Sequence, residues 1–438
     1  MRNNGISSKI YIALAMIIFV AACKKEDTVF NESPDERINK ALAEYQAALV
    51  SSPTGWKATV TPGLGGIYHF YFQFNAENRV FMYADFDTAT SKYKKESSYR
   101  LKALQQPSLI FDTYSYLHLL ADPDGDVNGG IDGAGLSSDF EFAFDSVYAD
   151  SIVLTGKINN TKLKLEKATQ QDLDAWQNGS WASTTSFLNI NAILNYFKRL
   201  TIGGTTYEIS VDPITRVIIF RWLSGTTVKQ FATTFYFDAS GVILDNPLVN
   251  GAQTISGFNN ISWNNTTQTL QVRSGNSVGT VKGAIEPLKA DIAAPQRWWQ
   301  EAIDQEGYWY SWDGFHVNGA DDAFNINSLS KYYYLIYWSG YDAGSNDLFA
   351  PVFLNDAGDA LELQYAAAPG VPQFTNDGRV VFTLLGNYGT YPSAGPAALS
   401  RDQLFITEGY YLVQTGSKTY DMVSAKDAKT WISWIGAW

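Results

Sequence analysis

The sequence has a single cysteine, Cys23, in 438 residues, so no disulfide can form within the chain. It has only three histidines, His69, His118 and His316, and they stand far apart. Neither an HExxH nor a His-x-His pattern is present, so the spacing of a zinc site is missing. Stability must therefore come from burial of apolar surface, for which the chain is long enough.

Positive charge is also scarce. Lysine and arginine together number 32 against 44 aspartates and glutamates, which gives a formal net charge of −12. An acidic protein is a poor partner for nucleic acid, because binding to phosphates depends on many basic side chains. The composition therefore excludes nucleic-acid binding.

Long apolar runs are missing too. Residues 10–22 form an uncharged, mostly apolar run of 13 residues behind Arg2 and Lys9, and this run is too short for a normal spanning helix. It has the anatomy of a signal peptide. The run 20–23 (VAAC) resembles the lipobox of bacterial lipoproteins, which implies cleavage of residues 1–22 and lipidation of Cys23. An uncleaved anchor helix is the alternative.

Residues 23–32 read as a polar tether. Aspartate is absent directly after Cys23, which argues against inner-membrane retention in a Gram-negative lipoprotein. The run 24–27 (KKED) resembles the surface-export tag of Bacteroidetes-type lipoproteins. A solvated tether would have the same composition, and the two interpretations are compatible. We expect a protein held to the outer membrane by its lipid anchor and exposed at the cell surface.

A capped helix followed by strands is predicted for the domain 33–167. Ser33, Pro34 and Glu36 form a capping box with proline at the first helical position. The aromatic residues Tyr68, Phe70, Phe72 and Phe74 then alternate with other residues, which is typical of a half-buried strand. Residues 168–290 contain a helical segment and then a second β-rich region with polar turns.

The last part, 291–438, is rich in aromatic residues. Residues 298–341 hold 14 aromatics in 44 positions, double the average of the chain. The chain is expected to end in a helix capped by Ser424, with Trp431, Trp434 and Trp438 on one stripe. The whole sequence predicts a mainly β fold of antiparallel sheets with a few packed helices, in two to three lobes, with an α+β C-terminal part.

Three segments share a strand, Asx-turn, strand pattern: 72–76 (FQFNA), 235–239 (FYFDA) and 353–358 (FLNDAG). Their spacing is irregular, which excludes a solenoid. Chance similarity between hairpins and an old duplication both explain the pattern.

Several features together resemble an uncharacterised family of Bacteroidetes lipoproteins, a domain of unknown function. They are the lipoprotein signal, the capped helix before Gly55 and Trp56, the blocks 114–118 (YSYLH) and 138–142 (SDFEF), and the Trp/Tyr-rich tail. Members of that family are often encoded beside outer-membrane nutrient importers of the starch-utilisation type. The resemblance implies a surface role in nutrient capture or processing, and it carries over no catalytic residue.

One acidic loop has oxygen-bearing side chains at spacings that suit calcium, which favours six to eight oxygen ligands. It departs from the EF-hand, because Val127 and Gly133 replace the turn glycine and the bidentate glutamate. A solvated hairpin loop is the alternative to a calcium site. The candidate ligands are Asp122, Asp124, Asp126, Asn128 and Asp132.

The run 275–279 (GNSVG) matches the GxSxG pattern of serine hydrolases. The hydrolase motif needs a strand before the serine and a helix after it. Here strand-like sequence stands on both sides, so the run is predicted to be a hairpin turn.

The aromatic cluster suggests a stacking platform for sugars, with Asp313, Asp321, Asp322 and Asn325 as polar neighbours. An aromatic core is the alternative, since half of the rings on a strand should point inward. The candidate ligand-binding residues are Trp298, Trp299, Trp309, Tyr310, Trp312 and Trp338.

We expect a lipid-anchored accessory protein, without a recognisable catalytic signature, that binds a nutrient such as a glycan or partners a nutrient importer. A hydrolase with an unrecognised Asp/Glu pair is one alternative, since such a pair cannot be picked from 44 acidic residues. A purely structural interaction module of the envelope is the other.

Overall fold

The computed structural model describes residues 33–103, 106–342 and 345–438. These residues form two closed eight-stranded barrels followed by one large sheet, and the strand pairings are antiparallel throughout. The predicted mainly β, antiparallel fold class is therefore confirmed. The predicted anchor Cys23 lies outside the described residues.

The first barrel follows a helix, α1 (Pro34–Val50), whose predicted capping box is present: Ser33 Oγ accepts from the Glu36 backbone N–H. Short helices α2 (Thr88–Lys92), α3 (Tyr116–Leu119) and α4 (Gly125–Asn128) lie in its connections. The barrel closes because β1 and β8 pair along their whole lengths. Its strands are β1 (Trp56–Thr61), β2 (Tyr68–Phe74), β3 (Arg79–Ala84), β4 (Lys95–Ala103), β5 (Pro107–Phe111), β6 (Glu141–Val147), β7 (Ser151–Gly156) and β8 (Lys162–Lys167).

Alternation along the strands fills the first barrel with aromatic side chains. The four aromatics predicted on one side of β2 are all buried in one core cluster. Helix α1 covers this core, with Leu49 fully buried and the Tyr45 ring stacked 4.2 Å from that of Phe144. The helix is therefore part of the barrel's hydrophobic core.

A helical segment leads into the second barrel, as predicted. It consists of α5 (Gln170–Gln177), α6 (Ser180–Thr185) and a 3₁₀ helix (Ser186–Ala192). Trp176 and Trp181, one on each α-helix, stack at 4.2 Å. The barrel strands are β9 (Phe197–Ile202), β10 (Thr205–Asp212), β11 (Val217–Ser224), β12 (Thr227–Asp238), β13 (Gly241–Asn250), β14 (Gln253–Asn264), β15 (Thr269–Ser274) and β16 (Ser277–Ala284).

Two sequence patterns have their predicted local structure. The GxSxG run is the turn between β15 and β16, with Ser274 paired to Ser277. Asn75 and Asp238 form the predicted Asx turns, because the side chain of each accepts the backbone N–H two residues ahead. Asn355 instead accepts from the backbone N–H groups of Asp359 and Ala360.

A buried ion pair joins the two barrels. The Arg216 guanidinium donates to the backbone carbonyl of Asp85 at 2.9 Å and to its carboxylate at 3.3 Å, and both side chains are completely buried. The guanidinium lies between the rings of Tyr68 and Phe237, 4.5 Å from each centroid. His69, on the outer side of β2, approaches the same carboxylate at 3.3 Å.

The C-terminal part is one curled sheet with helix α7 (Ala294–Asp304) against one face, and α8 (Pro396–Leu404) and a 3₁₀ helix (Ile326–Ser328) at its side. Among the described residues, no helix has the length and apolar character needed to cross a membrane. The strands are β17 (Trp309–Ser311), β18 (Phe315–Val317), β19 (Tyr332–Asp342), β20 (Asn346–Leu354), β21 (Leu361–Glu362), β22 (Ala366–Pro369), β23 (Gln373–Phe374), β24 (Arg379–Val381), β25 (Leu384–Tyr388), β26 (Tyr410–Gly416), β27 (Thr419–Ser424) and β28 (Thr430–Gly436).

The predicted C-terminal helix is wrong. Ser424 ends β27, and Trp431 and Trp434 lie on β28, which pairs with β27 along most of its length. The spacing of three residues fits a helical stripe, but Thr430, Ile432 and Trp434 are buried in a strict period of two. The strand pattern prevails because the hairpin partner satisfies the backbone hydrogen bonds.

Candidate functional site

The outer face of the C-terminal sheet carries a continuous strip of aromatic rings. Neighbouring ring centroids along the strip lie 5.3–6.2 Å apart. We call this surface the aromatic face. In spatial order its rings are those of Tyr333, Trp312, Tyr310, Tyr334, Tyr308, Trp338, Tyr341 and Tyr388.

Strand alternation explains why these rings share one face. On β17, Trp309 enters the core next to α7 while Tyr310 takes the other side. On β19, Leu335 and Tyr337 face the same core, whereas Tyr334 and Trp338 face outward. Each side of the sheet is thus apolar, although only the inner side is covered by a helix.

The aromatic face combines a packed base with exposed rings. Ile336, Leu348, Ala350, Val352 and Ala366 are buried beneath the tyrosines and Trp338. Above them the rings of Trp312, Tyr333 and Tyr341 remain 43%, 40% and 41% exposed. A rigid base with large exposed rings is suited to stacking against a flat ligand.

Hydroxyl groups give this face its polar character. The hydroxyls of Tyr308 and Tyr334 are hydrogen-bonded to each other at 2.8 Å. The Asn346 amide donates to the Tyr388 hydroxyl at 2.5 Å. Burial, and then the neighbouring tyrosines, raise the pKa of Tyr334, which favours the protonated form of its hydroxyl.

The structure separates the six predicted ligand-binding residues into two groups. Trp298 and Trp309 are completely buried in the core, so they are not surface-stacking residues, and Trp299 donates its indole N–H to the buried Asp347. Tyr310, Trp312 and Trp338 lie on the aromatic face. Stacking against a ligand therefore stays a prediction for these three of the six residues.

A small cavity of about 120 Å³ opens beside Trp312. It brings together three of the predicted polar neighbours, Asp313, Asp321 and Asp322, with His316. The His316 ring stacks 3.6 Å from Trp431, and its Nδ1 lies 2.5 Å from an Asp321 carboxylate oxygen. Polar groups therefore lie at one end of the aromatic face, where they are positioned to bind a ligand's hydroxyls.

The candidate calcium loop uses its side chains to hold its own backbone. Asp122, Asp124 and Asp132 accept backbone N–H groups of the loop, and the Asn128 amide donates to two backbone carbonyls. The described residues contain no group of three or more His, Cys, Asp or Glu side chains placed to hold a metal. Calcium binding at Asp122, Asp124, Asp126, Asn128 and Asp132 stays a prediction.

Tyr388 extends the aromatic face beyond the aromatic-rich residues 298–341 that the sequence indicated. Tyr388 lies on β25, where it pairs with Ala366 of β22. No local signal identifies it, because its place on the sheet depends on the order of distant strands.

The fold and this surface define the class: a mainly β protein of two closed barrels and a C-terminal sheet with an exposed aromatic face. Within that class the chain belongs to the DUF4302 family, a domain of unknown function, whose profile matches residues 26–265. The match spans the first barrel and most of the second, and it ends before the aromatic face.

Comparison with other proteins adds little. No curated protein matches the chain. An octameric penicillin-binding protein homologue from Pyrococcus abyssi shares 12% identity over 32% of this chain, which spans about 33% of that protein's length, with a TM-score of 0.15. A Helicobacter pylori β clamp in complex with 5-chloroisatin shares 10% identity over 92% of this chain and 98% of the clamp, also at a TM-score of 0.15. Scores this low support no argument.

Proposed function

We propose that this protein is a Bacteroidetes-type lipoprotein of the outer membrane that binds a glycan through its aromatic face. The single observation that carries the glycan proposal is the continuous strip of eight rings on an uncovered sheet face. Three of these rings, those of Trp312, Tyr333 and Tyr341, are exposed, and clustered exposed apolar side chains mark binding surfaces.

Stacking physics favours a sugar over a purely apolar ligand. The faces of sugar rings carry C–H groups that pack on aromatic rings, while their edges carry hydroxyls that need hydrogen bonds. Trp312 and Tyr333 supply exposed rings, and the tyrosine hydroxyls with Asp313 and Asp321 supply polar partners. Tyrosine and tryptophan suit such mixed surfaces because each has an apolar ring and a polar group.

The anchor gives the proposed activity its location. Lipidation at Cys23 would hold the protein at the outer membrane, with the polar tether 23–32 between lipid and helix α1. Two or three acyl chains make such attachment firm, because each buried CH₂ contributes about 0.8 kcal/mol. At the surface the protein would present glycan to a nutrient importer encoded with it, which is the partner that the family resemblance implies.

The test is a glycan-array screen of the full chain in detergent, followed by titration of the best ligand. Trp312→Ala and Tyr333→Ala are expected to weaken binding at least tenfold, about 1.4 kcal/mol, since each removes a stacking ring. Tyr148→Ala is the matched control, because Tyr148 is 63% exposed on the first barrel, away from the aromatic face. Unchanged affinity in the Trp312 variant would contradict the proposal.

The cavity beside Trp312 also supports a second candidate, a glycan hydrolase. Carboxylic acids next to a sugar platform are the groups that glycoside cleavage uses. Measuring new reducing ends in the same glycan screen distinguishes a binding protein from a hydrolase. Hydrolysis by the wild type that is lost in Asp313→Asn or Asp321→Asn would show that the protein is an enzyme. A chain that binds no glycan and co-purifies with an envelope protein is the interaction module instead.

A further inference from the structure

A cavity lies where the two barrels meet, and we call it the junction cavity. Its volume is about 360 Å³, within the size range of small-molecule sites. Strands β1 and β2 of the first barrel form one side, helices α5 and α6 form the second, and the turn between β12 and β13 forms the third. Boundaries between domains are common places for ligands.

His69 lines this cavity from the outer side of β2. Its strand neighbours Tyr68 and Phe70 belong to the core of the first barrel, so alternation turns His69 out of that barrel. The centroid of its ring lies 5.7 Å from that of Trp181 and 6.0 Å from that of Tyr236 on β12. The imidazole is therefore held between the two barrels at the wall of the junction cavity.

The buried Asp85 carboxylate determines which nitrogen of this ring is an acceptor. It lies 3.3 Å from His69 Nδ1, and because a carboxylate can only accept, Nδ1 carries the hydrogen. The guanidinium of Arg216 already balances the charge of Asp85, so the contact does not require a protonated imidazole. Nε2 of the neutral ring is then an acceptor, and no other described residue donates to it.

Two indole N–H groups of the same cavity also have no partner. Trp176 and Trp181 are only 2% and 8% exposed, and their rings stack in parallel at 4.2 Å. Neither Nε1 donates a hydrogen bond to another described residue. Unlike the indole nitrogens of Trp298 and Trp434, which are fully enclosed in the C-terminal core, neither is completely covered by protein. Both tryptophans line the junction cavity, so these donors are available to a ligand there.

The charged groups of the junction cavity disfavour an anionic ligand. Asp172 and Asp238 both line it. Lys57 lines it too but is paired with Asp172 at 3.6 Å, and no described cation pairs with Asp238. The net negative charge would repel a carboxylate or a phosphate. The group that satisfies the three ring nitrogens is therefore expected to be neutral.

We propose that the junction cavity binds a neutral monosaccharide, whose hydroxyls accept from the indole N–H groups of Trp176 and Trp181 and donate to Nε2 of His69. A hydroxyl is both donor and acceptor, which is the combination that these three nitrogens need. A compact ring with several hydroxyls can satisfy more than one of them at once. This site is separate from the aromatic face, and its argument holds whether or not that face binds a glycan.

The test is NMR and calorimetric titration of the full chain in detergent with D-glucose, D-galactose, D-mannose and N-acetyl-D-glucosamine. At least one of these is expected to bind saturably and to shift the indole N–H resonances of Trp176 and Trp181 downfield, because both groups gain an acceptor. The resonances of Trp298 and Trp434 are the internal control and should not move. D-Glucuronate and D-galacturonate should bind at least tenfold more weakly than the matching neutral sugars.

Two variants remove the proposed hydrogen bonds while keeping an aromatic ring. His69→Phe removes Nε2 and Trp181→Phe removes one indole N–H, and each is expected to weaken binding at least tenfold. Tyr236→Phe is the matched control and should leave the affinity unchanged, because Tyr236 contacts His69 but does not line the cavity. Where one variant has a lowered melting temperature, the other variant and the indole resonances of the wild type decide.

Failure of all four sugars to bind would overturn the proposal, and so would a complex in which the indole resonances of Trp176 and Trp181 do not move. Wild-type affinity in both His69→Phe and Trp181→Phe would overturn it as well, as would uronates that bind as tightly as the neutral sugars.

Trp312→Ala separates this proposal from the proposed function. Monosaccharide binding that depends on His69, beside glycan-array binding that does not depend on Trp312, means that the proposed function fails and the junction cavity does not. Monosaccharide binding that is lost in Trp312→Ala and kept in His69→Phe means that the junction cavity fails and the aromatic face is the site.

Discussion

His118 is half-buried on helix α3, in the connection between β5 and β6 of the first barrel. Its Nδ1 is 3.2 Å from the Ser115 backbone nitrogen, and its ring stacks 4.7 Å from that of Phe140. Burial lowers the pKa of this histidine below its ordinary value of 6.5. The folded state therefore binds the proton less readily than the unfolded state does.

From this pKa we predict a loss of stability in mild acid. The contribution of His118 is complete above pH 6.5 and is lost as the pH falls from there towards the lowered pKa. In urea titrations between pH 7.5 and 5, the free energy of unfolding should fall less steeply in His118→Gln than in the wild type. Parallel pH profiles would refute the prediction.

A second prediction concerns the buried carboxylate of Asp347. It accepts hydrogen bonds from the Tyr337 hydroxyl at 2.6 Å, the Trp299 indole at 2.7 Å and the Gly340 backbone N–H at 2.6 Å. Burial nevertheless raises its pKa, so the stability it contributes is present at low pH and is lost as the pH rises through that raised value. Its ionised form therefore depends on these three donors.

Tyr337→Phe should consequently lower the free energy of unfolding by about 1–3 kcal/mol, because a buried acceptor loses a donor. The loss should be larger at pH 7 than at pH 4, where the carboxyl group is closer to neutral. Tyr148→Phe, at an exposed tyrosine, is the control and should change little. An equal loss at both pH values would show that the carboxylate is not involved.

At this scale the sequence predicts which residue types gather but not which way they face. Trp309 and Tyr310 are neighbours, yet one is completely buried and the other lies on the aromatic face. The phase of the alternation depends on how β17 pairs with β19, which composition does not contain.

Single residues also hold whole elements in place. Asp139, in the block 138–142 that carried the family resemblance, is buried and accepts from the backbone nitrogens of Ile158, Asn159 and Thr161. These donors form the turn between β7 and β8. Gly156 lies so close that an added Cβ would be 2.1 Å from the carboxylate.

We predict that Asp139→Ala costs on the order of 3 kcal/mol, because three backbone donors lose a charged acceptor. Hydrogen exchange at the amides of Ile158, Asn159 and Thr161 should accelerate before that of the barrel core. Asp145→Ala removes an exposed carboxylate from β6 and should stay within about 0.5 kcal/mol. Unchanged protection of the turn amides would contradict this role.

Sequence periodicity predicts the strand β2 and the hairpins at the polar turns but not the closure of the barrels. Period two and Asx turns identify hairpins, since both are local. The pairing of β1 with β8 joins residues at opposite ends of the first barrel, and no local pattern distinguishes it from an open sheet. The last strand, β28, is predicted to be a helix because Trp431 and Trp434 are three residues apart, a helical spacing that places them on opposite faces of the strand.

At the scale of the whole molecule, the Arg216–Asp85 pair couples the two barrels. Arg216→Met should cost about 3–5 kcal/mol, because the buried Asp85 carboxylate loses its guanidinium partner and keeps only the contact with His69. Adding Asp85→Asn should recover part of this loss, and a double-mutant cycle measures the coupling. Arg100→Met breaks a surface pair with Asp112 and should cost no more than about 1 kcal/mol. Additive losses in the double variant would refute the coupling.

The anchor is tested on the intact protein in cells. Cys23→Ala should abolish incorporation of labelled fatty acid and release the protein from the outer membrane. Cys23→Ser tests the same thiol with a closer replacement. Continued acyl labelling of either variant would disprove lipidation at this position.

Barrel closure also sets the order in which this chain can assemble. Trp56 of β1 pairs with Lys167 of β8. A chain that emerges N-terminus first therefore cannot close the first barrel until the residues of β8 have also emerged. Until then β1 and the latest strand present unpaired backbone, the kind of edge that recruits other chains into aggregates. The second barrel repeats the delay, since β9 must await β16. A nascent chain interrupted before residue 162, or before 277, is therefore the form of this protein most in need of a chaperone.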